Sequence, residues 1–319
     1  MIDVKYFWNK NHKYKVEENE VTIGNTEFPA AYAAIFPAFF DFTQNGATED
    51  ELIERFNEIS KLKMKRFIAK LEQTGVLLTH IQEPDEIFKG QFKLLGKSYP
   101  EDYFLKNENV SNYRKNVLEG EKDIGENAYD IPALSDGIWT KRKSCRNFTN
   151  EKVSKEAFLA LMGVLIRYDG EEFLHGTYPS AGGLYPVRAY ILVKEDRVEG
   201  VAGGLYYLNA AKKKLQKLNA GNEMGKDMHF FLNKEIFDTS AFSIYLVFDA
   251  EVSMTKYRDR GYFYGILDTG IVMGYLNLKA TELGIGCCCI GELKDKAINE
   301  CLNLGKNEVY MQCIEFGGV

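Results

Sequence analysis

The sequence predicts an α+β fold in two parts, a central mixed or antiparallel sheet with long buried helices, preceded by a small helical unit. Three observations carry this. Two strongly apolar runs, "RAYILVK" (188–194) and "SAFSIYLVF" (240–248), read as strands, and between them "GGLYYLN" and "KKLQKL", joined by a Lys-rich turn, read as a hairpin. A helix-length run follows over about 261–283, apolar on most faces, which calls for burial in a core or an interface. Before residue 85 the pattern is helix, helix, short strand.

Composition bounds the function. The chain has 319 residues, 45% hydrophobic and 27% charged, with a formal net charge of -6, enough for two modest cores and of the wrong sign for a binder of nucleic-acid backbone. The cations Lys61, Lys63, Lys65, Arg66 and Lys70 share one helix and read as a solvated face. The start "MIDVKYFWNKNHKYKVEEN" lacks signal-peptide features, and residues 263–283 are interrupted by Asp268, Asn277, Lys279 and Glu282, so the expectation is a cytoplasmic protein without a membrane span. Six cysteines in such a chain point to reduced thiols.

In chain order, "NEVTIGN" has strand character and precedes the aromatic run "AAYAAIFPAFFDF". Thr48 and Glu51 stand at capping-box spacing at the head of a helix, and a second helix, "KMKRFIAKLEQTG", stops at Gly75 before "VLLTH". That order resembles a winged-helix unit over residues 1–85. Residues 86–135 show no period and read as a connector; residues 136–319 form the larger domain. There, 155–167 is amphipathic and helical, Gly265, Gly270 and Gly274 are spaced for close backbone approach, Gly284 ends the long helix, and "VYMQCIEFGGV" closes the chain as a strand.

Four stretches carry chemistry. "KRKSCRNF" (141–148) gathers four cations and a serine, the donors a phosphate needs, although a solvated basic loop gives the same pattern. "HGTYPSAGGLYP" (175–186) is a Gly-rich turn whose backbone can approach a flat ligand; His175 has no partner at metal-ligand spacing. "LGIGCCCIGEL" (283–293) fails as a dinucleotide fingerprint, because it follows a helix and has Cys289 where a third glycine belongs. Its cysteines alternate faces of a strand instead. "SMTKYRDRGYFYG" (253–265) packs cations and tyrosines directly after a strand.

In this order, "RKSCRNF", "PSAGGLYPVRAYIL", "GGLYYLN", "TKYRDRGYFYGILDTG" and "NLKATELGIGCCCIG" resemble the nitroreductase-like flavoproteins. Among these, they resemble the SagB-like and McbC-like dehydrogenases of thiazole- and oxazole-modified peptide biosynthesis. The resemblance spans residues 136–319. It implies a homodimer with FMN at the subunit interface. Arg142, Lys143, Ser144 and Arg146 then occupy the phosphate and ribityl site, with Lys143 in place of an arginine. Pro179, Ser180, Gly182 and Gly183 form the turn against the isoalloxazine ring, and Gly286 and Gly291 the loop near the flavin. Lys256 and Tyr257 match the catalytic Lys-Tyr pair. The chain departs from the family at Phe263 and at Ile271, where arginine and histidine are common.

For azoline oxidation a base must remove a proton opposite the hydride acceptor. Tyrosine is a poor base at neutral pH unless a neighbouring cation favours the phenolate, so the expectation is Tyr257 as base and Lys256 as its activator. Neighbours on a strand face opposite ways, so the backbone must leave the strand near Ser253. Residues alone also allow Arg258 and Arg260 to pair with Asp259 or Asp268, leaving Lys256 and Tyr257 as packing residues. The expected partners are a modified precursor peptide and a cyclodehydratase or other maturation enzyme. Two alternatives stay open, an NAD(P)H-dependent reductase of dehydroalanine, nitro or quinone compounds and a flavin-free leader-peptide scaffold.

Overall fold

The computed structural model describes residues 4–17, 20–23, 26–82, 86–87, 100, 102–120, 129–169, 174–219 and 224–319. The chain divides into two compact units, Met1–Ala128 and Tyr129–Val319.

In the first unit, β1 (Lys5–Trp8) lies between β5 (Ala47–Thr48) and β6 (Leu77–Leu78), and β2 (Tyr14–Glu17), β3 (Glu20–Ile23) and β4 (Thr26–Pro29) form an antiparallel meander. The aromatic run becomes helices α1 (Ala30–Ala33) and α2 (Phe36–Thr43). Phe36 and Phe39 are buried with Trp8 and Phe67, and Tyr32 stacks on Phe67 at 4.2 Å between centroids. The capping box forms as its spacing requires, with Thr48 accepting from Glu51 N and Glu51 accepting from Thr48 N at the head of α3 (Glu49–Arg55). Helix α4 (Lys61–Gln73) buries Met64, Phe67, Ile68 and Leu71 and leaves most of its cations exposed, Lys65 pairing with Glu49. The expected connector is more structured than its sequence suggests, since it contains helix α5 (Asn107–Glu119), largely polar and exposed. The first unit runs on to residue 128, past the expected boundary at 85.

The second unit is built on a six-stranded sheet in the order β11-β10-β9-β12-β14-β13, every neighbouring pair antiparallel. The strands are β9 (Val187–Val193), β10 (Gly204–Asn209), β11 (Lys214–Lys217), β12 (Phe242–Asp249), β13 (Gly286–Ile290) and β14 (Glu308–Gly317). β12 is central and buried along nearly its whole length, so its apolar residues do not alternate with polar ones. Short elements precede β9: α6 (Ile138–Lys141), α7 (Lys155–Met162), and the hairpin β7 (Arg167–Asp169) with β8 (Leu174–Gly176). The helical pattern over 155–167 is an α-helix to Met162 and a 3₁₀ turn over Gly163–Leu165, and Arg167 opens a strand. Between β10 and β12 lies α8 (Phe231–Thr239), and between β13 and β14 lies α11 (Asp295–Leu302).

After β12 the backbone enters α9 (Ala250–Tyr257), breaks at Arg258 (φ 52°), and starts the long α10 (Asp259–Glu282). Within this chain α10 buries one stripe that includes Gly265, Asp268, Val272, Leu276 and Ala280, and Phe263, Leu267 and Tyr275 remain exposed. Its glycines act differently from expectation. Gly265 faces the Phe248 ring, and Gly270 and Gly274 have open space. The close backbone approach is at Gly261, where an added Cβ would lie 2.8 Å from Met254 Cα. Gly284 (φ 69°) follows the helix end as expected. No helix among the described residues is long and apolar enough to cross a membrane.

Candidate functional site

The Lys-Tyr cluster sits on a helix end, not in a loop. Asp249 caps α9 by accepting from Val252 N at 3.4 Å, so the chain leaves the sheet before Ser253. The sequence signal was an aspartate directly after an apolar strand. The hairpin of α9 and α10 closes at Gly261, where Ser253 Oγ donates to the Gly261 carbonyl at 3.2 Å. Lys256 and Tyr257 end α9, where successive side chains turn by about 100° and need not face opposite ways. Lys256 Nζ lies 5.2 Å from the Tyr257 ring centroid, and Tyr264 packs edge-on against that ring at 5.1 Å.

The Gly-rich turn lies against this pair. Gly182 (φ 62°) and Gly183 (φ 67°) occupy the left-handed region that favours glycine. An added Cβ on Gly182 would stand 2.2 Å from Tyr257 Oη and 3.0 Å from Lys256 Nζ. Residues 74 positions apart in sequence therefore meet, with bare backbone under both polar tips.

A carboxylate that sequence reading gave no role in the site holds the turn. Ser180 Oγ donates to Asp268 Oδ2 at 2.5 Å and accepts from Tyr185 N at 2.8 Å, while Ala181 N donates to Asp268 Oδ1 at 3.3 Å. Asp268 is 2% exposed, and burial pushes its carboxyl above the ordinary aspartate value, the Ser180 and Ala181 hydrogen bonds acting the other way. Its bonds are to the turn, not to Arg258 or Arg260. The only local signal for Asp268 was a lone acid within an apolar helix. Tyr178 beside the turn is buried, and its phenol is pushed up to about 12, first by that burial.

The basic stretch lies along β13. Ser144 bridges Cys287, and Cys145 N donates to the Cys287 carbonyl at 2.8 Å. Arg142, Lys143, Ser144 and Arg146 are exposed, and none of the three cations forms an ion pair among the described residues. The cysteines alternate as their spacing requires. Cys287 and Cys289 approach Asn277 of α10, Cys287 Sγ donating to Asn277 Oδ1 at 3.1 Å, and Cys288 joins the core on the opposite face. Cys145, Cys287, Cys288, Cys289 and Cys313 form no disulfide among the described residues. Burial pushes the Cys287 thiol up to about 12, with Arg142 opposing; Cys288 is raised likewise, with Arg146 opposing. Gly286 packs under Val319 and Cys145, while Gly291 follows the far end of β13, about 16 Å of strand away. The structure thus places Gly286 beside the basic stretch and does not bring Gly291 there. Asp268, which holds the turn, and Asn277, which meets Cys287 and Cys289, are nine residues, about 14 Å of helix, apart on α10.

Comparison with known proteins fits this architecture. The model of the nitroreductase family matches residues 139–318, more than half of the chain. The nitroreductase-named protein MJ1384 of Methanocaldococcus jannaschii is 27% identical over 169 residues, covering 52% of this chain and 83% of its own. The Escherichia coli microcin synthetase McbBCD complex, solved with truncated pro-MccB17 bound, aligns with 72% of this chain and 86% of the matched chain. Its TM-score is 0.52 at 16% identity, which is a likeness of fold. A nitroreductase-named protein from Anabaena variabilis aligns with 57% of this chain at 25% identity and TM-score 0.48, the match spanning 37% of its length.

Proposed function

The chain belongs to the nitroreductase family, and from that premise we propose that it is an FMN-dependent dehydrogenase. Its reaction in this reading converts thiazoline and oxazoline rings on a ribosomally made peptide into thiazoles and oxazoles. The observation that carries the proposal is the convergence of Tyr257 Oη and Lys256 Nζ on the bare backbone of Gly182. Proteins of the family bind flavin, and the residues present suit one. Glycines without side chains offer a flat surface, and the exposed Arg142, Lys143, Ser144 and Arg146 offer donors for a phosphate.

FMN, when bound, supplies a two-electron acceptor for hydride. Tyr257 removes the proton from the ring carbon that bears the peptide carbonyl, with the Lys256 ammonium standing beside its ring. Asp268 keeps the Ser180–Gly183 backbone in the conformation that meets both side chains. The peptide substrate and a maturation partner are supported by the fold likeness to a microcin synthetase complex with a bound pro-peptide. A homodimer would cover Phe263, Leu267 and Tyr275 on α10.

A second reading runs the flavin in the other direction, reducing an activated alkene, a nitro compound or a quinone with NAD(P)H; the name of MJ1384 favours it. Anaerobic stopped-flow absorbance of the flavin band separates the two. Bleaching by a thiazoline peptide, lost in Tyr257→Phe and Lys256→Ala proteins that still hold FMN, is the expected result. Bleaching by NADPH alone would move the assignment to the reductase, and a protein that cannot be loaded with flavin would end both.

A further inference from the structure

A small cavity of about 230 Å³ opens at the β7–β9–β10 end of the sheet, lined by Arg167, Arg188, Tyr207 and Asn209 together with apolar residues such as Leu165 and Ala210. Its two guanidinium groups come from different strands and are held in place. Arg167 Nη2 donates to the Tyr185 carbonyl at 2.6 Å, Arg188 Nη1 donates to the same carbonyl at 3.4 Å, and Arg188 Nη2 pairs with Asp249 Oδ2 at 2.9 Å. That carbonyl belongs to a residue with φ 50°, so its direction is set by the turn that Ser180 closes.

Among the described residues, Asp249 is the carboxylate paired at these two guanidinium groups, through Arg188. Arg167 Nε is buried without a hydrogen-bond partner among the described residues. Two like charges beside a partly dehydrated cavity are costly unless a counter-charge enters. Burial and then the charge of Arg188 both weaken the hold of Arg167 on its proton, with Asp249 opposing. Tyrosine and asparagine side chains on the wall add neutral donors.

We propose that the cavity between Arg167 and Arg188 binds one oxyanion, the carboxylate or phosphate group of a small molecule or of the end of a larger one. Fixed guanidinium forks match the planar oxygens of a carboxylate and the edge of a phosphate. The volume holds such a group with a few waters and falls below that of pockets for cofactor-sized ligands.

Isothermal titration of the full-length protein with sodium phosphate and, separately, sodium acetate, at ionic strength fixed by sodium chloride, tests this. Titrations are run in an Arg142→Gln/Arg146→Gln background, so that the exposed basic loop does not report. Saturable one-to-one binding of at least one anion is expected. It should weaken about tenfold in Arg167→Met, which keeps the side-chain bulk, and in Arg188→Lys, which keeps a charge for Asp249. Circular dichroism confirms that each variant is folded. Binding of phosphate alone assigns a phosphate group, and binding of acetate assigns a carboxylate. No saturable binding of either anion, or equal binding in the parent and in both variants, would overturn the proposal.

Discussion

The turn at 179–185, tied to α10 at Asp268, and the loop at 142–146, tied to β13 at Cys287, are built in opposite ways. In the turn, the Ser180 hydroxyl and the Ala181 and Tyr185 amides find their partners within the chain, around a carboxylate that is 2% exposed. In the loop, Arg142, Lys143 and Arg146 stand in solvent without an ion pair among the described residues, and one backbone hydrogen bond to Cys287 ties the stretch to the sheet. The turn is preorganised by folding, as a site that positions reacting groups should be. The loop keeps its electrostatic capacity for a ligand.

Substitutions can break or sharpen this contrast. The largest effect should come from Tyr257→Phe, with thiazoline-driven flavin reduction slowed about 10²- to 10⁴-fold while FMN retention and the thermal midpoint hold. Next, Asp268→Ala strands the Ser180 hydroxyl and should cost about 1–3 kcal/mol in urea unfolding. A loss within about 0.5 kcal/mol would mean that the turn is not held from beneath. Arg146→Gln should do the reverse, weakening FMN retention about tenfold by equilibrium dialysis with stability unchanged to within about 0.5 kcal/mol. If it destabilised the fold as much as Asp268→Ala, the contrast would fail.

The smallest effect is a pH slope. Burial raises the native Asp268 carboxyl above its ordinary value of 3.8, so the native state holds that proton more tightly than the unfolded chain. Its contribution is therefore fully present below 3.8 and is lost as pH rises through the raised native value. Wild-type stability should fall more steeply across that window than that of Asp268→Asn, measured by urea unfolding at stepped pH. Buried Glu315, also raised by burial, acts with the same sign in both proteins and cancels in the comparison.

Reading the sequence succeeded where the signal was local or periodic. β12 is buried on both faces, so "SAFSIYLVF" had to read as a continuous apolar strand. The Thr48–Glu51 capping box lies within one helical turn, and the alternation of Cys287, Cys288 and Cys289 follows from strand geometry. α5 was missed because its face is polar and gives no periodic stripe, and α9 because only its Asp249 cap announces it. The glycines of α10 misled for a related reason. Spacings of five and four residues do not place Gly265, Gly270 and Gly274 on one helix face, and the glycine that meets a neighbouring backbone proved to be Gly261.

The residues alone thus determined the strands of the six-stranded sheet, the long helix, the basic stretch and the glycine turn, because propensity, capping and side-chain period act over a few positions, while the Lys-Tyr pair came from the family resemblance. Tertiary structure decided which of these meet. Ser180 and Asp268 are 88 residues apart, and Gly182 and Tyr257 have no chain-local reason to touch. Their encounters follow from packing α10 across the sheet, a long-range event in which burial of the apolar stripe supplies the driving force and the polar contacts set the final position.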